Sequence, residues 1–411
     1  MRTYLALILL TACGGSTPCE GAGCVGMDAG DRDAAPIDAQ AASDAPSAPD
    51  ASLADAGMRC PAPVTPAAFD CATEDPTLTF GAPITADPMT WTFIPFDDAF
   101  CMNGTSTGIG VNLNPASDRV LIYLEGGGAC FDLITCAGVA GLNGFGARDL
   151  ANGEATLARG LFARDATNPM ADWNFVYVPY CTGDVHGGTN DAGPSGRHHV
   201  GYRNVTAYLR RLVPTFSSAS LVLLAGRSAG GLGTLVNFDQ VQRAFDCTQV
   251  HLLDDAGAVL GDDYLKPCLQ STVRELWGVD AILPGDCPQC LCSDGGGLSA
   301  IYPYLATRYP AARFGLISGT EDQTFRSFYS YGYSASCRIP GNMPGEEFRA
   351  GLLEVRSSMS AFDNFRTFYV PGDRHTFTGS SLASTSVGGT TLTDWVGQLV
   401  AEDPSWPHVG P

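Results

Sequence analysis

The sequence predicts an α/β domain: a mainly parallel sheet covered by helices on both faces. Three observations lead there. The apolar runs are short, branched or aromatic, and near-continuous, as in strands buried on both faces. Each run ends in glycines or polar residues. The segments between runs are long enough to hold helices.

The elements follow in chain order. Residues 1–12 read as an export signal, with Arg2 as the positive start and residues 4–10 as an apolar core too short to span a membrane. Leu10-Thr11-Ala12-Cys13 resembles a bacterial lipobox, which implies cleavage before Cys13, lipid attachment to its thiol and anchoring in the cell envelope. An ordinary secretory signal, giving a secreted protein, is the alternative. Residues 13–58 are rich in Ala, Asp and Pro with almost no aromatic or branched side chains. Such a stretch buries too little apolar area to offset chain entropy, so it is expected to be a disordered acidic tether. The folded domain is placed at residues 59–411.

Within it, strands are expected at residues 119–124, 173–178, 221–226, 250–253, 313–317 and 365–370. Residues 202–213 read as an amphipathic crossover helix, and a further helix is expected after Ser228. Function in such sheets gathers at the C-terminal strand ends, where the glycine-rich punctuation falls.

Composition excludes several classes. Among 411 residues, 43 acidic side chains face 23 basic ones, a net charge of -20, so nucleic acid is not an expected partner. Lys266 is the single lysine, which leaves Schiff-base and phosphate-loop chemistry little to work with. Setting Cys13 aside, the remaining cysteines are even in number, which suggests disulfides in an exported protein. Cys130 and Cys136 are placed to close a local loop, and Cys19 and Cys24 to pair within the tether. Cys287, Cys290 and Cys292 admit a zinc reading, but disulfides are favoured; the pairing is not legible. Asn103 and Asn204 sit in glycosylation acceptor patterns.

The chemistry centres on Gly226-Arg227-Ser228-Ala229-Gly230 at the end of a strand. This pattern puts a serine on a sharp strand-to-helix turn, its hydroxyl lifted out of the sheet near a helix N-terminus. The bland alternative is a helix-capping serine. A serine nucleophile needs a base, and in the α/β-hydrolase-like arrangement the order is serine, acid, histidine. His186, His198 and His199 precede Ser228, His251 lies in a core strand and His408 is near the C-terminus. His375 remains. Asp322 follows the strand before it and is the expected acid, with Asp254 as runner-up and Glu321 one position off. Oxyanion donors are expected from the amides of Ala229, Gly127 and Gly128.

Together these motifs resemble the pectin acetylesterase and Notum carboxylesterase family. Residues 124–131, Tyr180-Cys181-Thr182-Gly183-Asp184-Val185-His186 and residues 226–231 match its oxyanion segment, its Tyr-Cys-x-x-Asp-Val element and its nucleophile elbow. Asp322 and His375 fall where its remaining triad members stand. The resemblance implies serine-dependent removal of an acyl group, an O-acetyl of a polysaccharide in the first reading and a longer acyl chain in the second, with no metal or organic cofactor. Two positions depart from the pattern: Ala129 replaces a frequent bulky aromatic, and Arg227 a frequent small residue. Arg227 is expected to meet an acidic substrate or a neighbouring carboxylate. Asp184, His186 and Asp254 are candidates for substrate contact, with a structural role equally open. An inactive carbohydrate-binding protein on the same fold, and a zinc hydrolase built on the Cys287 cluster or His198-His199, are the competing classes.

Overall fold

The computed structural model describes residues 60–72, 78–153, 155–193 and 196–411. The expected export signal, Cys13, the tether and its two cysteines lie outside the described residues.

The strands are β1 (Thr92–Phe100), β2 (Ser106–Asn112), β3 (Arg119–Leu124), β4 (Asn174–Val178), β5 (Leu221–Arg227), β6 (Gln249–Asp255), β7 (Phe314–Gly319) and β8 (Phe365–Val370). The main helices are α1 (Leu133–Ala137), α2 (Ala147–Gly153), α3 (Gly201–Thr215), α4 (Ala229–Phe245), α5 (Pro267–Trp277), α6 (Ile301–Arg308), α7 (Gln323–Tyr329), α8 (Gly345–Ser358) and α9 (Leu392–Val400). One eight-stranded sheet has the order β1-β2-β4-β3-β5-β6-β7-β8. From β4 to β8 every neighbouring pair is parallel; β1 and β2 run antiparallel at one edge.

Both faces of the sheet are buried. Along β3, Val120, Ile122 and Leu124 enter one core, and Leu121 and Tyr123 the other. The first core is completed by α3, α4, α5, α6 and α8, the second by α9 and residues 150–162. Two-sided burial explains why these strands read as unbroken apolar runs. The expected α/β-hydrolase-like sheet is therefore present, with its six parallel strands at the anticipated places.

Two differences have physical causes. No strand was expected at β1 or β2. β1 is an edge strand with exposed polar positions, Pro95 within it and an irregular register between Phe96 and Phe100, so it lacks the unbroken apolar signature. And β6 runs two residues further than expected, through Asp254 and Asp255, which pair with Gly226 and Arg227 of β5 and with Leu316 and Ile317 of β7.

Six disulfides fasten the described domain. Cys60–Cys292 and Cys71–Cys247 tie the irregular residues 60–72 to segments far along the chain. Cys101–Cys181 joins the end of β1 to the loop after β4, and Cys268–Cys337 ties the first turn of α5 to residues beyond α7. Cys130–Cys136 is the expected local loop. The Cys287 cluster resolves into Cys287–Cys290, with Cys292 bonded to Cys60, which overturns its zinc reading because oxidised sulfurs are not thiolate ligands. Asn204 is buried and its side chain bonds both backbone groups of Phe100, so this acceptor pattern has no room for a glycan. Among the described residues no helix is long and apolar enough to cross a membrane.

Three buried histidines, His186, His199 and His251, and the half-buried His408 set the acid response. His251 Nδ1 accepts the Arg313 N–H at 3.1 Å, and His408 Nδ1 accepts the Thr367 N–H at 3.2 Å. Burial lowers both to about 4, against the pull of Glu402 on His251 and with the help of Arg366 and Arg356 on His408. Burial also lowers His186 and His199. Groups depressed in this way contribute stability above the unfolded value of 6.5, and it is lost as pH falls towards about 4. Asp254 and Asp255, both raised by burial, act in the opposite sense but are outnumbered. The thermal unfolding midpoint is therefore expected to fall between pH 6.5 and about 4. His408→Gln, which keeps an acceptor for Thr367 without a titrating ring, should flatten part of that slope in melts across the same range.

Candidate active site

The site lies where β3, β5 and β6 end. Ser228 follows the last residue of β5 and precedes α4, with φ 55° and ψ -122°. A non-glycine residue held there stores about 1–3 kcal/mol, so its surroundings must over-determine it. The Ser228 N–H donates to the Asp255 carbonyl at 2.7 Å, and its own carbonyl accepts the Leu232 N–H at 3.1 Å. Two glycines make the turn possible. A Cβ on Gly230 would collide with the Leu124 carbonyl, and one on Gly126 would collide with the Arg227 carbonyl and stand 2.9 Å from Ser228 Cβ. The end of β3 thus lies directly against the serine.

On both sides of Gly126 the chain turns its carbonyls towards protein donors. The Glu125 carbonyl accepts His186 Nε2–H at 2.8 Å, Gly127 accepts the Ala140 N–H at 2.8 Å, and Gly128 accepts the Tyr180 hydroxyl at 2.9 Å. The Cys130 carbonyl accepts Trp277 Nε1–H at 2.8 Å, and the Cys130 N–H donates to Gly183 at 2.7 Å. Among the described residues, the amides of Gly127, Gly128 and Ala229 have no acceptor. Free amides beside a helix N-terminus suit a developing negative oxygen.

The loops carrying the expected acid and base are laced together. Thr320 N–H donates to the Val370 carbonyl, Glu321 N–H to Gly372, Gln323 N–H to Asp373, and Gly372 N–H to Thr320 Oγ1. His375 Nδ1–H donates to Asp322 Oδ2 at 2.7 Å. Asp322 Oδ1 caps α7 through the Phe325 N–H at 3.0 Å, so both oxygens of this fully buried carboxylate are engaged. A carboxylate only accepts, so the imidazole proton sits on Nδ1 and Nε2 is left as an acceptor. The His375 ring packs 5.7 Å from the Phe325 ring, and Phe325 lines the same cavity as Ser228.

That cavity has a volume of about 120 Å³. Its walls are aliphatic and aromatic, with Leu265, Leu269, Val273 and Trp277 from or beside α5 facing Leu232, Phe325 and Phe328. These four α5 positions recur every four residues, a helical stripe legible in the sequence. The sequence does not tell whether such a stripe meets a core or an opening.

The remaining candidates are placed as follows. Asp254 is not the partner of His375. It is fully buried against Gly231 and Gly257, and burial, then the Asp255 charge, push its carboxyl well up, which favours the neutral acid. Asp184 and His186 are buried too, which fits the structural one of the two roles the sequence leaves open. Asp184 accepts Thr182 Oγ1–H, the His186 N–H and the Gly201 N–H, while His186 donates to the Glu125 carbonyl at the end of β3. Arg227 meets a neighbouring carboxylate: its Nε donates to Glu125 Oε1 at 3.0 Å, and Nη2 bonds the same oxygen. Glu321 pairs with Arg349. His199 Nδ1 bonds the Thr182 carbonyl at 2.9 Å, in a structural setting. Two groups have metal-like spacing, Cys60-Asp262-Cys292 and Cys71-Asp246-Cys247, but in each the cysteines are joined to one another. Asp255 and the α5 stripe are the features the sequence reading missed.

Comparison with known proteins agrees with this architecture. A family model described as pectinacetylesterase matches residues 85–304, more than half of the chain. Palmitoleoyl-protein carboxylesterase notum2 of Xenopus laevis is 33% identical over 211 residues, 46% of this chain and 43% of that protein. Pectin acetylesterase 4 of Arabidopsis thaliana is 29% identical over 203 residues, 46% of this chain and 49% of that protein. The chain thus spans less than half the length of these curated relatives. A crystal structure of the Wnt deacylase Notum from Drosophila shares the fold, with a TM-score of 0.56 over 78% of this chain and 95% of that one, at 16% identity. The match over residues 85–304 establishes that the chain belongs to the pectinacetylesterase family.

Proposed function

We propose that this protein is a serine carboxylic-ester hydrolase, with Ser228 as nucleophile, His375 as base and Asp322 as the acid that orients it. The observation that carries this reading is the 2.7 Å bond from His375 to buried Asp322, on loops laced beside the strained Ser228 turn. Ser228 Oγ attacks the ester carbonyl and His375 Nε2 takes its proton. The amides of Gly127, Gly128 and Ala229 hold the tetrahedral oxyanion. The alcohol leaves with the proton from His375, and water, activated by the same imidazole, releases the acid from the acyl-enzyme.

The alcohol portion is read as a carbohydrate or protein hydroxyl, as the names of the two relatives suggest for those proteins. A specific observation favours an acyl group longer than acetyl. A single methyl leaves most of an apolar cavity of about 120 Å³ unfilled, and an apolar cavity of about 150 Å³ is enough to take up benzene. The disulfides fit an exported protein, and Leu10-Thr11-Ala12-Cys13 supports lipid attachment at Cys13.

Three outcomes are expected. Ser228→Ala should lower hydrolysis of p-nitrophenyl butyrate by at least about 1000-fold; equal rates in the two proteins would remove the serine mechanism. Along the p-nitrophenyl series, two added methylenes at about 0.8 kcal/mol each should raise kcat/KM from acetate to butyrate by roughly tenfold. A flat or falling series would return the acyl group to acetyl. Gly126→Ala should cost about 1–3 kcal/mol in denaturant unfolding, because its Cβ has no space, and should also depress fluorophosphonate labelling of Ser228.

A further inference from the structure

Asp255 is the last residue of β6 and is fully buried. Its two ends hold different parts of the site. Its backbone carbonyl accepts the Ser228 N–H at 2.7 Å, and its partner in β5 is Arg227, the residue before the serine. Its carboxylate reaches the other way, to the loop that carries His375. The Phe377 N–H donates to both oxygens, at 3.0 and 2.8 Å, and the Thr378 N–H and Oγ1–H each donate to Oδ2 at 2.7 Å.

The backbone around these contacts needs holding. Thr376, between His375 and Phe377, has φ 63°, and Ala256, after Asp255, has φ 61°. Left-handed backbone is rare for a β-branched residue such as threonine, so Thr376 keeps it only where neighbouring bonds leave no alternative. Both carboxyl oxygens act as acceptors, the arrangement of an ionised acid. Burial pushes this carboxyl above its ordinary value, and the Thr378 and Phe377 donors, then His375, offset part of that rise.

We propose that Asp255 is a positioning residue that clamps the histidine loop to the serine turn and so sets the separation of His375 from Ser228. The proposal rests on the serine-esterase reading above. Its task differs from that of Asp322. Asp322 bonds the imidazole and fixes its orientation, whereas Asp255 fixes where the backbone carrying the imidazole stands. An asparagine at this position keeps one acceptor oxygen but turns an amide NH2 towards N–H donors, so the clamp opens at that end.

The test compares wild type, Ser228→Ala, Asp255→Asn and Thr378→Val on p-nitrophenyl butyrate. Active sites are titrated with a fluorophosphonate, and thermal midpoints are measured alongside. Asp255→Asn is expected to lower kcat per titrated site by about 100-fold, the scale of a misplaced reacting group. KM should stay within about threefold of wild type, because the acyl cavity is untouched. Thr378→Val, which removes one donor and keeps the carboxylate, should give a smaller fall in the same quantity. A purely structural role would lower the midpoint or the titratable fraction and leave kcat per site unchanged; that result overturns the clamp. Should Asp255→Asn fail to fold, Thr378→Val decides: wild-type kcat per site overturns the proposal, and reduced kcat at unchanged KM and midpoint supports it. A wild type indistinguishable from Ser228→Ala would instead show that the esterase reading has failed, and the clamp with it.

Discussion

The site depends on a close approach of backbones. The ends of β3 and β5 and the start of α4 meet where Gly126 and Gly230 leave no space for a side chain. The carbonyl of Asp255 takes the Ser228 amide from the side of β6. These contacts hold Ser228 in a conformation its own preferences oppose, and they hold the unbonded amides of Gly127, Gly128 and Ala229 beside it. A sheet buried on both faces provides the rigidity this requires, because strands inside two cores have little freedom to relax.

Polar support is arranged behind the site and apolar surface in front of it. His186, Tyr180 and Trp277 donate to the carbonyls of Glu125, Gly128 and Cys130, and that use of the carbonyls leaves the amides of Gly127 and Gly128 without a protein acceptor among the described residues. His186 performs this role as a neutral imidazole, since burial lowers its pKa. The cavity beside Ser228 is built from Leu, Val and aromatic side chains. An ester seated there would have its acyl chain in an apolar environment and its carbonyl among backbone donors, the division of labour that the proposed mechanism needs.

Charge is managed with similar economy. Three acids crowd the strand ends, and each is treated differently: Asp322 is bonded to His375 and the α7 amide, Asp255 to the histidine loop, and Asp254 is buried where the neutral form is favoured. Residue type alone does not separate these roles, because Asp254 and Asp255 are adjacent and end the same strand.

Much of the fold was legible in the sequence because its signals are local. Two-sided burial writes unbroken apolar runs, and a strained serine turn writes glycines at fixed offsets, so the parallel strands and Ser228 could be placed without coordinates. The order of elements then singled out Asp322 and His375. The edge strand β1 left no such trace, since its exposed positions carry polar residues, and β2 beside it, although buried, breaks its apolar run with Thr107, Gly108 and Gly110. What tertiary structure alone decided are the meetings of distant residues: Asp255 with Phe377, 122 positions apart, Trp277 with Cys130, 147 apart, and long-range disulfides such as Cys60–Cys292 and Cys71–Cys247. Whether Asp184 and His186 would face a substrate or the protein interior was also left open. Packing settled it, because hydrogen bonds and burial depend on which strand ends come together, and no single segment of the chain records that.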